Sequence, residues 1–191
     1  MTSTLIIPPT LTISQEQFEL LATANRDLRL ERSPTGELII MPPTGGNTGR
    51  RNAKLITYFV NWNDKNKLGE VFDSSTAFRL PDGSNRSPDV AWVSRERWQS
   101  LTPEQQDNFP PLCPDFVVEL RSKSDSLKNL QDKMQEYLEN GLQLGWLIDI
   151  QNQTVEVYRP QQACEVLQKP ILLTGESVLR KFSVSLDFLW L

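Results

Sequence analysis

Phe116-Val117-Val118-Glu119-Leu120-Arg121, introduced by Pro114-Asp115, is followed five residues later by the amphipathic run Leu127–Glu139. Successive side chains of a strand point to opposite faces, so Phe116, Val118 and Leu120 share one face and Val117, Glu119 and Arg121 the other. Both faces carry apolar residues, which is the pattern of a strand covered on both sides. The following segment places Leu127, Leu130, Met134, Tyr137 and Leu138 on one helical stripe and stops at Asn140-Gly141. Gly145–Ile150 then reads as a strand. A strand, a helix and a strand in this order predict a mixed sheet flanked by helices.

The neighbouring segments fit that sheet. Ser14 or Thr12 caps a helix whose apolar face is Phe18, Leu21 and Ala22. Leu28–Glu31 and Glu37–Met41 form a hairpin about Ser33-Pro34-Thr35-Gly36. Gly45-Gly46-Asn47-Thr48-Gly49 opens a helix carrying Leu55, Ile56, Phe59 and Val60. Strands are expected at Glu70–Asp73, Thr76–Leu80 and Asp89–Val93, with a turn at Pro81–Asn85. Arg95–Ser100 reads as a helical turn, Pro103–Pro114 as loop, and Thr154–Arg159 as a strand. The tail alternates through Phe182–Leu186 and ends in Phe188-Leu189-Trp190-Leu191, which is either core or interface.

Composition narrows the chemistry. The chain has 191 residues, a net charge of −4 and no histidine. Ser-His-Asp and Cys-His catalysis and histidine-ligated zinc are thereby excluded. The pI near 5.0 excludes a wholly basic nucleic-acid coat while leaving room for a local basic cleft. Cys113 and Cys164 lack CxxC spacing and read as reduced structural thiols. Met1–Thr10 has no charged n-region and no long h-region, and no stretch is long enough to span a bilayer. A cytoplasmic protein is expected. Chemistry is left to carboxylates, Lys, Arg, Ser and Tyr.

Two carboxylates stand in apolar surroundings. Asp89 follows Pro88 and leads into Val90-Ala91-Trp92-Val93, and Glu119 lies inside the covered strand. Burial penalises Glu119 unless a cation meets it. Arg121 shares its face, and Lys133 sits on the flank of the next helix's stripe. A buried ion pair of Glu119 with either cation is one reading. The other is a metal-dependent phosphodiesterase, since Mg²⁺ needs only one or two protein carboxylates and a nearby Lys polarises the nucleophile. A Walker-type phosphate cradle is absent, because Gly45–Gly49 lacks the Lys-Ser/Thr pair.

Ser87-Pro88-Asp89-Val90, the segment Pro114–Ser122, Asp132-Lys133-Met134-Gln135-Glu136-Tyr137, Gly145-Trp146-Leu147-Ile148-Asp149 and Val155–Pro160 together resemble the Uma family of restriction-endonuclease-like proteins. The likeness runs from about Leu11 to the C-terminus. It implies the PD-(D/E)XK nuclease superfamily, an α/β (mixed α+β) restriction-endonuclease-like fold and Mg²⁺, with Mn²⁺ as a substitute. It divides a single domain 1–191 into an N-terminal extension of about 1–43, a core of about 44–160 and C-terminal strands over 161–191.

Carried over residue by residue, Asp89 and Glu119 are the metal-binding acids, and Asp89, Glu119 and Lys133 the catalytic set. The motif lysine position, two after Glu119, holds Arg121, a poor general base, and the resemblance moves the lysine role to Lys133. Arg121 and Lys123 are the expected phosphate contacts. Asn47 stands where related sequences carry an acid or histidine. The expectation is a Mg²⁺-dependent DNA endonuclease, dimeric as a pair of identical chains. Arg50, Arg51, Lys54, Arg79, Arg86 and Lys128 are its candidate basic face. The alternative is a catalytically inactive nuclease-fold module that binds DNA or protein.

Overall fold

In a computed structural model, residues 11–190 are described, so the apolar run Leu5–Ile7 and the terminal Leu191 lie outside the described residues. The chain begins with helix α1 (Gln15–Ala24) and the hairpin β1 (Arg29–Arg32) and β2 (Leu38–Met41). The long helix α2 (Gly46–Asn66) leads to β3 (Gly69–Asp73), β4 (Phe78–Arg79), β5 (Asn85–Arg86) and β6 (Val90–Ser94). Two short helices follow, α3 (Arg95–Gln99) and α4 (Pro103–Asp107). The sequence continues through β7 (Phe116–Arg121), α5 (Leu127–Glu139), β8 (Leu144–Asp149), β9 (Thr154–Tyr158) and β10 (Glu165–Gln168). The C-terminal part is β11 (Leu172–Thr174), β12 (Ser183–Ser185) and a 3-10 turn at Asp187–Leu189.

The main sheet has six strands in the order β10-β9-β8-β7-β6-β3. Only β7 and β8 run parallel, joined by α5, and every other neighbour is antiparallel. The expected mixed α/β restriction-endonuclease-like architecture is the one found. Phe116, Val118 and Leu120 pack with Leu55, Phe59 and Trp62 of α2, and Phe182, Phe188 and Leu189 of the tail close the same layer. Val117 and Leu147 turn the other way, onto Met134 and Tyr137 of α5. Gly145 is required there: a Cβ would lie 2.4 Å from Met134 Cε and 2.8 Å from Leu142 Cδ2. The tail is therefore core, and its apolarity gives no support to a dimer interface.

The hairpin belongs to a second sheet of order β2-β1-β5-β4. It packs with α1 through Ile13, Phe18 and Leu30. Ser14 caps α1 in a reciprocal box with Gln17. Of the expected α1 face, Phe18 is buried, whereas Leu21 is exposed. On α2, Trp62 and Asn63 replace Val60 on the buried side.

Several boundaries differ from expectation. Thr76–Leu80 contributes only Phe78–Arg79 as strand, and Asn85 leaves the turn to pair with Arg32. The strand after Asp89 starts at Val90, leaving Asp89 at its mouth. A helix, α4, interrupts the Pro103–Pro114 loop, capped by Thr102 and Gln105 with Pro103 in its first turn.

Candidate active site

Asp89, Glu119 and Lys133 converge where β6, β7 and α5 meet, on a cleft of about 1170 Å³. Asp89 is placed by its neighbours: Oδ2 accepts the Leu120 N–H at 2.8 Å and Oδ1 accepts Asn52 Nδ2 at 2.8 Å. The first bond ties the Asp89 carboxylate to the residue next to Glu119. Glu119 is 4% exposed and lies on the α5 side of β7. Lys133 Nζ stands 2.8 Å from Glu119 Oε1, and Tyr137, one turn further along α5, donates to the same oxygen at 3.1 Å. No described residue donates to Glu119 Oε2.

Of the two ion pairs the sequence left open, Glu119–Lys133 is the one formed. Arg121 donates instead to Asp149 at 2.7 Å and to the Asp125 carbonyl at 3.1 Å. Arg121 and the exposed Lys123 line the same cleft as the acids. Asn47 accepts from Arg50 and also lines it. The α2 residue touching Asp89 is Asn52, one turn further on.

Glu31, from β1, is the group sequence reading did not identify. Its side chain is 3% exposed and Oε1 lies 2.8 Å from Lys133 Nζ. Oε1 also accepts the Ser87 N–H at 2.9 Å, and Oε2 accepts Arg86 Nη1 at 3.1 Å. Arg86 in turn forks onto Glu136 at 2.7 and 2.6 Å. The signal was present in Arg29-Leu30-Glu31-Arg32, where a carboxylate sits in a strand that a buried hairpin must cover. Its partner, however, lies 102 residues away.

The electrostatics follow from this crowding. Burial raises the Glu119 pKa to about 7: Lys133 pulls it down, while Asp89 and Glu31 push it up. Burial likewise raises Asp89, against the Leu120 N–H. Burial alone would raise Glu31 too, but Lys133, Arg86 and the Ser87 N–H outweigh it and hold Glu31 below the ordinary range. Burial opposes the charge on Lys133, yet Glu119 and Glu31 prevail and keep it an ammonium well into alkaline pH. In this contact chain Asp89, Glu119, Glu31 and Glu136 face two cations, Lys133 and Arg86. Arg29 adds a favourable field at Asp89.

Among the described residues, no group of three or more His, Cys, Asp or Glu side chains is arranged to hold a metal. Two carboxylates are enough for Mg²⁺, which keeps most of its waters. Asn52 Oδ1, buried beside Asp89, has no hydrogen-bond partner. An oxygen-seeking cation or its water satisfies such an acceptor, so the donor set fits the ion.

Of the six residues expected to form a basic face, several are engaged by neighbouring groups, Arg50 by Asn47. Arg51 and Arg86 line the cleft, the latter buried in its ion pairs. Arg79 reaches Glu19, Lys54 lies over the Phe188 ring and Lys128 pairs with Asp132. Cys113 and Cys164 are free thiols, as expected. Among the described residues no helix is long and apolar enough to cross a membrane.

A search of curated proteins finds no match. Among solved structures, a "putative nuclease belonging to DUF820" from Anabaena variabilis ATCC 29413 superposes with a TM-score of 0.71 at 24% identity. The match covers 84% of this chain and 89% of that one, and it speaks to the fold. The model of the Uma2 family, described as "Putative restriction endonuclease", matches residues 15–187. A match over nearly the whole described chain identifies the protein as a member of the Uma2 family.

Proposed function

We propose that the protein is a Mg²⁺-dependent DNA endonuclease that hydrolyses phosphodiester bonds, with Mn²⁺ able to replace Mg²⁺. The observation that carries this reading is the pair Asp89 and Glu119. Both are raised in pKa by burial in a cleft-lining cluster whose carboxylates outnumber its contacting cations. A divalent cation supplies the missing positive charge. Asp89 and Glu119 would hold it, with Asn52 Oδ1 beside them. When bound there, Mg²⁺ supplies Lewis-acid stabilisation of charge on the phosphate.

The chain's own residues divide the remaining work. Lys133 remains an ammonium, so it cannot take a proton from water; it orients the nucleophile and offsets charge on the phosphate. Tyr137 fixes Glu119 through Oε1, so the carboxylate that would help hold the metal keeps a set orientation. Lys123 at the cleft rim and Arg121, braced by Asp149, are suited to phosphate contacts.

One observation favours the alternative, an inactive nuclease-fold module: Glu119 and Lys133 form a buried ion pair, the arrangement a purely structural pair would also have. Incubation of supercoiled plasmid with Mg²⁺, Mn²⁺ or EDTA separates the two readings. Nicking that depends on the metal is expected. Intact plasmid under every metal, with well-folded protein, selects the inactive module.

The pKa shifts also imply a pH dependence. Glu119, at about 7 in the fold against an ordinary 4.5, holds a proton that the unfolded chain has released between those values. Its contribution to stability therefore falls as pH rises through that window. Glu31 is shifted the other way, so its contribution is lost only as pH falls below its ordinary 4.5. Mg²⁺ binds the ionised form and so competes with the Glu119 proton. The rise in Tm on adding Mg²⁺ to EDTA-treated protein should be larger at about pH 8 than at about pH 6. Equal shifts at both pH values would remove Glu119 from the metal site.

A further inference from the structure

We infer that Glu31 is a positioning residue for this site: it holds the Lys133 ammonium over Glu119 and at the same time fixes the segment that carries Asp89. The inference rests on the nuclease reading above and adds the hairpin β1–β2, which lies outside the main sheet, to the working parts of the site. Lys133 has a long flexible stem, and one carboxylate partner would let its charge swing with that partner. Here the ammonium is held by two carboxylates from different sheets, each at 2.8 Å, and the side chain is 9% exposed.

Glu31 is committed to these partners. Oε1 takes Lys133 and the Ser87 N–H, and Oε2 takes Arg86, whose fork is closed by Glu136. Three donors on two oxygens leave it poorly placed to ligate a metal, so its effect on chemistry passes through Lys133 and through the backbone two residues before Asp89. A carboxylate serving only to fasten the hairpin needs no contact with Lys133. Ser87 and Arg86 already provide that attachment.

The test uses Glu31→Gln, which keeps the shape and removes the charge, and Glu31→Asp, which keeps the charge but shortens the reach. The Lys133 ammonium is followed by NMR in protein carrying ¹⁵N-lysine. A slowly exchanging Lys133 signal is expected in the wild type, and both variants should lose that protection while remaining folded. Plasmid nicking by Glu31→Gln should fall about 10- to 100-fold in kcat with KM little changed, as for other groups that orient a ligand or catalytic side chain. Because the Gln oxygen can still accept the Ser87 N–H and so keep the Asp89 segment in place, Glu31→Gln should cost little further in a Lys133→Met background.

Wild-type-like protection of Lys133 in both variants overturns the inference, whatever the protein cleaves. So does a Glu31→Gln effect that adds fully to that of Lys133→Met. A wild type that never nicks DNA overturns the nuclease reading instead, and the ammonium signal then decides on Glu31 alone.

Discussion

Glu119→Gln is expected to lower Mg²⁺-dependent nicking by about 10³-fold or more while the protein stays folded. Gln keeps the side-chain volume and can still accept from Tyr137 and Lys133. What it loses is the charge that holds the cation, and electrostatic stabilisation of the transition state by a metal is worth several kcal/mol, about 4 of which make a factor near 10³. Stability moves in a direction that separates this from general damage. Wild-type Glu119 titrates near 7 in the fold, so above that pH it is a desolvated charge. Removing it should leave the Tm of metal-free Glu119→Gln at or above the wild type at about pH 8, and relatively lower at about pH 5.5. Thermal melts at the two pH values, beside the nicking assay, check both statements. A variant that cuts like the wild type removes Glu119 from the chemistry.

Lys133→Met has the second large effect, on rate and stability together. The ammonium is the shared counter-charge of Glu31 and Glu119. Deleting it leaves two buried carboxylates short of a cation, a loss of about 3–5 kcal/mol at neutral pH. Without the ammonium the folded pKa of Glu119 rises further above the unfolded value, and Glu31 loses the charge that does most to hold it below the ordinary range, so stability should recover as pH is lowered from about 7 to about 5. Chemical denaturation across that range measures the recovery. On the rate, losing a fixed positive charge beside the phosphate should cost about 10²–10³-fold. A Lys133→Met protein with unchanged stability at neutral pH would contradict the shared-pair geometry.

How much of this was legible beforehand varies with the kind of signal. The strand 116–121 and the helix 127–139 were readable to the residue, because a doubly covered strand and an amphipathic helix announce themselves by period. Glu119 was legible for the same reason: one acid in a wholly buried strand is an anomaly. Asp89 and Lys133 were legible as a set with it, but not by contact. The partner of Glu119 was readable only as Arg121 or Lys133. Strand alternation puts Arg121 on the right face, yet Asp149 on the parallel neighbour β8 lies directly opposite and captures it.

Glu31 escaped because its one local mark, an acid within a short strand, does not say what that acid meets. Its importance comes from a hairpin folding onto α5, and long-range juxtaposition leaves no period in the sequence. Asn52 escaped for a similar reason, being one polar residue among many on a helix rich in them. The two-residue strands β4 and β5 are held by pairing and by the Arg86 network rather than by β-forming side chains. Helix α4, by contrast, carried a readable mark in Thr102-Pro103 and Gln105, a capping box in a segment otherwise rich in turn residues.

The claim on which the rest depends is that Asp89 and Glu119 share a divalent cation. A crystal soaked in Mn²⁺, measured at the manganese absorption edge, tests it directly. The expected result is one anomalous peak touching carboxylate oxygens of both Asp89 and Glu119, displaced by excess Mg²⁺ and missing in Glu119→Gln. A clear map with no peak there, and with the Lys133–Glu119 pair intact, would contradict it.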